Sequence, residues 1–211
     1  MRMAWHGRFV YVSTAAVYSE AQQIPITEEA PTRPISPYGV SKLACENYVR
    51  IFSHCYGFRT VIARIFSLYG PRQEKQVIFD ILRKMLLSET TIELFGYGYE
   101  VRDFIHVADA ANALSLLSKH TTVNAPIFNI CSAGGITIRE LAEKLASIAN
   151  QNPERIIFTG YSKNGDPARW IGCNKKIRHI GFDLQHSLSS GLIDTLNWFR
   201  QHYIPVQALT K

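Results

Sequence analysis

Residues 36–66 read SPYGVSKLACENYVRIFSHCYGFRTVIARIF and decide the fold, because they combine a clearly marked helix with the strand that follows it. Ser36 is a preferred N-cap residue and Pro37 a preferred first helical residue, which predicts a helix that begins there and runs to Gly57. Residues 60–66 (TVIARIF) form an apolar, β-branched run. This stretch therefore predicts a helix followed directly by a strand.

A second apolar run precedes the helix. Residues 9–12 (FVYV) contain no polar break, which fits a strand buried on both faces of a parallel sheet. Strand, helix and strand make a βαβ unit, whose strands run parallel with a right-handed connection. Because ligands of such sheets bind beyond the carboxyl ends of the strands, we expect a site beside Thr14 and Ser67.

The predicted helix carries an apolar stripe on one side. Its members recur at intervals of three and four residues, as one helix face requires; they are Val40, Ala44, Tyr48, Ile51 and Cys55. Glu46, Arg50 and His54 are expected to face elsewhere. The stripe is therefore available for the protein's own core.

Beyond residue 72 the pattern changes to shorter and less regular elements. Helices are predicted near 76–88, after His106, over 137–150 and over 189–202, and a strand is predicted near 91–95. A capping box of Thr137 and Glu140 marks the start of one of these helices. No internal repeat or low-complexity linker interrupts the region, so we expect a small α/β lobe packed on the first part.

The composition excludes several classes of protein. The net charge is +6, but the 23 lysines and arginines are scattered, which favours phosphate-bearing small molecules over nucleic acid as partners. The four cysteines form no C-x-x-C pair and have no ligand spacing with the seven histidines, so we expect neither a metal site nor disulfides. No segment approaches the ~20 apolar residues that span a bilayer, and the start lacks the apolar region of a signal peptide. A cytoplasmic location without a membrane partner is expected.

Tyr38 and Lys42 are four residues apart on the predicted helix, so their side chains lie on the same face. An ammonium beside a phenol favours the phenolate form, which makes Tyr38 a candidate general acid and base. The spacing alone is weak evidence, because such pairs also occur on the surfaces of many helices.

Four ordered segments strengthen this interpretation. They are STAAVYSE (13–20), SPYGVSKLACENYV (36–49), ARIFSLYGPRQ (63–73) and VRDFIHVADAANAL (101–114). In this order and spacing they resemble the extended short-chain dehydrogenase/reductases of the NAD-dependent epimerase/dehydratase type, of which UDP-glucose 4-epimerase is the best-known representative. Later matches extend the resemblance over nearly the whole chain.

The resemblance implies an α/β fold: a partial Rossmann-like parallel sheet without its N-terminal strands, and a small C-terminal α/β substrate lobe. Residues 1–72 would be the C-terminal half of the NAD-binding domain and would carry the catalytic pair. Residues 73–211 would mainly form the nucleotide-sugar-binding lobe, with some elements returning to the first domain. NAD is the implied cofactor, and a UDP- or GDP-sugar is the implied substrate.

The resemblance also implies roles for individual residues. Tyr38 would exchange a proton with a sugar hydroxyl, Lys42 would hold the nicotinamide ribose, and Thr14 would hydrogen bond to the reacting oxygen of the sugar. Ser13 and Phe66 join Tyr38 and Lys42 in the set that is expected to contact the cofactor.

Further residues are implied to bind the substrate. Arg102 matches the arginine that grips the pyrophosphate, a task that suits its forked guanidinium, although an ion pair with Asp103 is the alternative. Lys163 and Arg169 fall where further phosphate-binding residues occur. Ser67 stands where the family commonly has Asn, so its contact with the nucleotide sugar departs from the family pattern.

The glycine-rich strand, turn and helix with which the family begins is missing before residue 9, where Gly7 is the only glycine. Two other glycine pairs occur, Gly96 with Gly98 and Gly134 with Gly135. Neither pair links a buried strand to the start of a helix with the spacing that a dinucleotide-binding turn requires. We therefore expect the isolated chain to bind NAD weakly or not at all, because the part that holds the other end of the cofactor is missing. The absence of the first strands would also leave an open sheet edge. It also predicts poor solubility, or association with something that covers the edge.

The reaction class is narrowed by two residues. A dehydratase is expected to carry an Asp-Glu pair just after Thr14, where this sequence has Ala15 and Ala16, so 4-epimerase chemistry is preferred and a 4-keto-sugar reductase stays open. The alternative from another class is a non-catalytic nucleotide-sugar-binding or assembly module that has lost its cofactor. Because family members often dimerise through the helix with the Tyr-Lys pair, a homodimer is also expected.

Overall fold

A computed structural model of the chain describes residues 7–18, 23–88, 90–161 and 167–204. The strands are β1 (Arg8–Thr14), β2 (Arg59–Ile65), β3 (Ser67–Tyr69), β4 (Ile92–Leu94), β5 (Val101–His106), β6 (Ile127–Ile130), β7 (Gly135–Thr137), β8 (Ile156–Phe158) and β9 (Arg169–Trp170). The helices are α1 (Pro37–Tyr56), α2 (Gln76–Leu87), α3 (Val107–Lys119), α4 (Ile138–Ala149), α5 (Lys175–Arg178) and α6 (Leu188–Trp198).

The predicted βαβ unit is confirmed. β1, α1 and β2 follow one another in the chain, and β1 pairs with β2 in parallel from its first residue to Thr14, which lies opposite Ile65. β6 pairs with the other side of β2, also in parallel, so the strand order is β1-β2-β6. The carboxyl ends of these strands therefore share one edge of the sheet, where Thr14 ends β1.

Helix α1 begins and ends where the sequence predicts. The Ser36 hydroxyl accepts a hydrogen bond of 3.1 Å from the Gly39 N–H, and Pro37 is the first helical residue. Gly57 ends the helix with a φ of 69°, a left-handed conformation that glycine adopts without a steric penalty.

The face of α1 that packs on the sheet differs from the prediction. Glu46 and Ser53 are buried, whereas Tyr48 is 67% exposed and Ile51 is 57% exposed. The apolar stripe is therefore outside the core of the described chain, and Glu46 points inward. The physical reason is that Glu46 forms an ion pair with the buried Arg64 of β2, which allows a carboxylate on the packed face.

Strand β1 is also less buried than predicted. Phe9 is 42% exposed and Val12 is 41% exposed, whereas residues 60–65 of β2 are buried. The apolar run correctly predicted a strand, but the expected burial on both faces is not seen among the described residues. Among the described residues β1 is the last strand on its side of the sheet, and an edge strand keeps one side open.

Much of the chain after β2 forms a second apolar core, whereas α3, α5 and β6 pack with β2. β5 pairs in parallel with β3 and β9 and antiparallel with β7, and helices α2, α4 and α6 pack together beside them. The predicted capping box begins α4, where the Thr137 hydroxyl accepts a hydrogen bond of 3.1 Å from the Glu140 N–H. β6 lies late in the chain but pairs with β2, so the chain returns to the first sheet. Within the described ranges, no helix has the length and apolar character that a bilayer crossing needs.

Candidate active site

Thr14 lies at the carboxyl end of β1, where the sequence predicts a ligand site. Its hydroxyl accepts a hydrogen bond of 3.2 Å from the Ala16 N–H and so caps the short 3-10 turn Ala15–Val17. The side chain is only partly buried. The cap therefore uses one acceptor position of the hydroxyl, and the O–H remains able to donate to a ligand.

Lys42 lies against the same strand end. Its ammonium donates a hydrogen bond of 2.7 Å to the carbonyl of Val12, and it stands 5.1 Å from the centre of the Tyr11 ring. Val12 is two residues before Thr14 in β1. The structure thus places the predicted lysine beside the end of the strand that carries the predicted threonine.

Gly39 lets the first turn of α1 approach the segment after Thr14. A Cβ atom at Gly39 would collide with the carbonyl oxygen of Ala16, so only glycine allows this contact. Tyr38 precedes Gly39 and is 57% exposed, with its ring accessible at the start of the helix. The first turns of α1 therefore contact the end of β1, with Lys42 beside the strand that ends at Thr14 and Tyr38 exposed next to Gly39.

A buried polar network lies next to the end of β1. Arg64 forms two hydrogen bonds with the Glu46 carboxylate, of 2.6 Å and 2.9 Å, and the Ser13 hydroxyl donates to the same carboxylate at 2.5 Å. Burial alone would lower the pKa of Arg64, but the hydrogen bonds to Glu46 raise it above its ordinary value, so the guanidinium stays charged. Ser13 belongs to β1, Arg64 to β2 and Glu46 to α1, so the network fixes the helix to both strands. Glu46 follows Lys42 by one helical turn, so the fixed part of the helix is next to Lys42.

The network extends to Tyr18 and Asn129. Arg64 donates to the Tyr18 hydroxyl at 2.9 Å, and that hydroxyl donates to the Asn129 side chain at 2.8 Å. Burial raises the pKa of Tyr18 to about 12, so it remains a neutral phenol. Sequence reasoning missed Glu46 and Arg64, although a single arginine inside the apolar run TVIARIF signals a buried partner.

The structure separates the two hydroxyls at the end of β1. Ser13 is 3% exposed and its hydroxyl is committed to Glu46, whereas Thr14 is only partly buried. Phe66, the residue after β2, is 6% exposed and packs with its ring against Gly172. Ser67 is partly buried at the start of β3.

Arg102 occupies β5 and is 8% exposed. Its guanidinium carbon lies 5.7 Å from the centre of the Trp170 ring, and one of its nitrogens donates to the Val101 carbonyl at 2.9 Å. The alternative of a surface ion pair with Asp103 does not fit, because both residues are buried and the Asp103 carboxylate faces other donors.

Asp103 ties three segments together. Its carboxylate accepts hydrogen bonds from the Ser132 N–H (2.8 Å), the Ser132 hydroxyl (2.6 Å), the Ala133 N–H (3.0 Å) and the Gly172 N–H (3.1 Å). Burial raises the pKa of Asp103, while these donors oppose the shift. The carboxylate thereby holds the segment after β9 beside Arg102.

Two predicted site residues remain, Arg169 and Lys163. Arg169 is exposed at the start of β9, one position before Trp170. Lys163 lies outside the described residues. A cleft of about 580 Å³ opens elsewhere, between β5, the start of α4 and the loop before α6, and it is lined by Phe104, Lys144 and His186 among others. Of the predicted site residues that the structure describes, none lines this cleft.

The described residues show no cluster of side chains suited to a metal ion. All four cysteines are free thiols, with Cys131 and Cys173 buried and Cys45 and Cys55 exposed.

Comparison with protein families gives one match over most of the chain. The model of the NAD dependent epimerase/dehydratase family matches residues 1–131. The UDP-glucose 4-epimerase of Halalkalibacterium halodurans is 31% identical over 92% of this chain and 64% of its own length. A dTDP-glucose 4,6-dehydratase of Actinoplanes sp. is 27% identical, over 92% of this chain and 60% of its own length.

Comparison with solved structures also finds nucleotide-sugar epimerases and dehydratases. The UDP-glucose 4-epimerase of Thermotoga maritima with UDP-glucose superposes with a TM-score of 0.85 at 30% identity, over 93% of this chain and 64% of that one. A dTDP-glucose 4,6-dehydratase of Streptomyces venezuelae with NAD bound has a TM-score of 0.85 at 30% identity, over 93% of this chain and 61% of that one. The chain spans about three fifths of the length of the relatives that it matches.

Proposed function

Because this chain belongs to the NAD-dependent epimerase/dehydratase family, we propose that it provides the catalytic and substrate-binding residues of an NAD-dependent nucleotide-sugar epimerase or dehydratase. The observation that carries the proposal is the hydrogen bond of 2.7 Å from Lys42 to Val12, which ties α1 to the end of β1 beside Thr14. Ala15 and Ala16 replace the acidic pair of a dehydratase, so 4-epimerase chemistry is the preferred form.

The proposed chemistry is a proton transfer coupled to a hydride transfer. NAD, when bound, accepts and returns the hydride. Tyr38 removes a proton from the sugar hydroxyl and returns it, since its ring is exposed at the start of α1. Lys42 would bind the ribose, and Thr14 would donate a hydrogen bond to the reacting oxygen.

The described residues fit one end of the cofactor better than the other. Tyr38 and Lys42 suit the nicotinamide end, with the buried Ser13 and Phe66 shaping the wall behind it. Gly96 and Gly98 lie between β4 and β5, so they do not join a buried parallel strand to a helix as a dinucleotide-binding turn must. We therefore propose that strong NAD binding needs a further segment that pairs with the open edge of β1.

The proposed substrate is a UDP- or GDP-sugar. Arg102 would bind the pyrophosphate, because its buried guanidinium is held in place by Trp170. Arg169 and Lys163 would add positive charge around it, and Ser67 would contact the sugar nucleotide. We also propose that residues 1–72 form part of the NAD-binding domain and that residues 73–211 mainly form the nucleotide-sugar-binding lobe, with some elements returning to the first domain. A homodimer and a cytoplasmic location are further parts of the proposal.

Replacement of Tyr38 tests the proposed chemistry. The conversion of UDP-glucose to UDP-galactose is measured with NAD in large excess, to offset weak binding. Tyr38→Phe should lower the turnover by about 10²-fold or more, the contribution of a positioned acid and base. Tyr48→Phe, which removes another exposed phenol from α1, is the control and should leave the turnover unchanged.

Two results would contradict the proposal. Equal turnover by the wild type and Tyr38→Phe would show that Tyr38 is not the general acid and base. Binding of several UDP- and GDP-sugars without any turnover, even in excess NAD, would favour the non-catalytic binding module instead.

A further inference from the structure

Trp170 lies directly beside Arg102 on a neighbouring strand. β9 pairs in parallel with β5, and the register places Trp170 opposite Arg102. The guanidinium carbon is 5.7 Å from the centre of the indole ring, within the range of a cation–π contact. Because Arg102 is only 8% exposed, this contact is shielded from water and so restricts where the guanidinium can point.

Trp170 also packs against a buried apolar cluster whose members include neighbours of the proposed catalytic residues. The cluster includes Ala15, Val17 and Phe66. Ala15 directly follows Thr14, and Leu43, which directly follows Lys42, packs against the same cluster. The indole thus contacts Arg102 and also packs on the cluster that contains Ala15 and adjoins Leu43.

The backbone directly after Trp170 is held by two hydrogen bonds. The Gly172 N–H donates to the Asp103 carboxylate at 3.1 Å, and the Ile26 N–H donates to the Ile171 carbonyl at 2.8 Å. The indole N–H is buried and has no hydrogen-bond acceptor among the described residues. A buried donor without an acceptor lowers stability, so packing of the chain alone does not account for an indole at this position.

We propose that Trp170 is a positioning residue for nucleotide-sugar binding. Its ring holds the Arg102 guanidinium at a fixed separation from the Thr14 end of the site, so that a bound diphosphate places the sugar at the reacting groups. This inference rests on the proposed function, because it takes Arg102 as the diphosphate-binding residue. A phenylalanine would keep part of the effect and an aliphatic side chain would not, because the contact depends on an aromatic face.

A double-mutant cycle tests the inference with UDP as the probe. UDP affinity is measured by calorimetry for the wild type, Trp170→Leu, Arg102→Gln and the double variant. Trp170→Leu should weaken binding about tenfold, and in the Arg102→Gln background the same change should weaken it by less than about twofold. A purely structural role of Trp170 would give additive losses, so the cycle separates the two roles.

Two further variants complete the test. Trp198→Leu removes an indole from the second core and should leave UDP affinity unchanged, whereas Trp170→Phe should fall between the wild type and Trp170→Leu. Additive losses in the cycle, or unchanged affinity in Trp170→Leu, would overturn the inference while the proposed substrate class stands. Failure of the folded wild type to bind UDP would overturn the proposed substrate site and, with it, this inference.

Discussion

His106 illustrates how one residue can make stability depend on pH. It ends β5 with 3% exposure, stacks on His186 with ring centres 4.2 Å apart, and meets the Tyr69 ring edge-on. Asp194 lies 3.3 Å from its Nε2 atom, and the nearby Asp109 carboxylate holds the His186 side chain at 3.1 Å. Burial and then His186 lower the pKa of His106, while the two carboxylates oppose the shift.

The sign of the pH effect follows from this lowered pKa. Unfolding returns His106 to its ordinary value of 6.5, so the unfolded chain binds more protons below that pH. The free energy of unfolding should therefore decrease as the pH falls through 6.5 toward the lower folded value. His106→Asn keeps a helix N-cap for α3 and should flatten this decrease, as measured by urea unfolding at several pH values.

The control for this prediction is His54→Asn, which changes an exposed histidine of α1. It should leave the slope of stability against pH as it is in the wild type. An equal slope in His106→Asn and the wild type would show that His106 does not set the pH dependence.

At the scale of elements, α1 depends on one buried ion pair. Glu46 and Arg64 have side-chain exposures of 2% and 3%, and their carboxylate and guanidinium are 2.6 Å apart. Such a pair gains little over apolar packing when intact, but removal of one partner leaves the other charge buried and unpaired. The pair therefore acts mainly to fix how α1, and with it Lys42, sits on the sheet.

Replacement of one partner should be costly. Glu46→Gln should lower the free energy of unfolding by about 3–5 kcal/mol, because Arg64 keeps its charge without a carboxylate. The matched control is Arg83→Gln, which breaks an ion pair to Asp80 whose partners are 47% and 39% exposed. This surface change should lower the free energy of unfolding by less than about 1 kcal/mol in the same urea titration. Similar losses in both variants would contradict the special role of the buried pair.

At the scale of the whole molecule, the two elements that carry the candidate site, β1 and α1, each present an open surface. β1 ends the described sheet with Phe9 and Val12 exposed, and α1 presents Tyr48 and Ile51 outward. An open edge and an apolar helix face both favour association, because they offer unpaired backbone groups and apolar area to a partner.

The open edge leads to a prediction about cofactor binding. We expect the isolated chain to show no micromolar affinity for NADH, because the residues that we propose for the cofactor suit only its nicotinamide end. A titration of the purified chain, followed by NADH fluorescence, measures this affinity. Saturation at micromolar concentrations would show that the chain holds the whole cofactor.

The exposed stripe on α1 leads to a prediction about oligomeric state. If α1 mediates the proposed homodimer, Ile51→Glu should shift the chain to a monomer, because a carboxylate would lose its hydration in the contact. Sedimentation velocity measures the shift. Ile157→Glu, a change at an exposed isoleucine of β8, is the control and should keep the wild-type state. A dimer that persists in Ile51→Glu would exclude this face.

The sequence by itself was sufficient to predict the local features of this protein. The limits of α1 follow from Ser36 and Gly57, and the common face of Tyr38 and Lys42 follows from helix geometry. The position of Thr14 at a strand end follows from the apolar run before it. These predictions succeed because each depends only on residues within a few positions of one another.

The tertiary structure decided which residues meet across the chain. The inward direction of Glu46 depends on Arg64 of β2, and the surroundings of Arg102 depend on Trp170 of β9. Periodicity assigns a charged residue to the solvent side because a lone buried charge is unfavourable, and only the partner's position reverses that expectation. Strand pairing sets that position, and pairing between distant segments is not visible in the spacing of either segment alone.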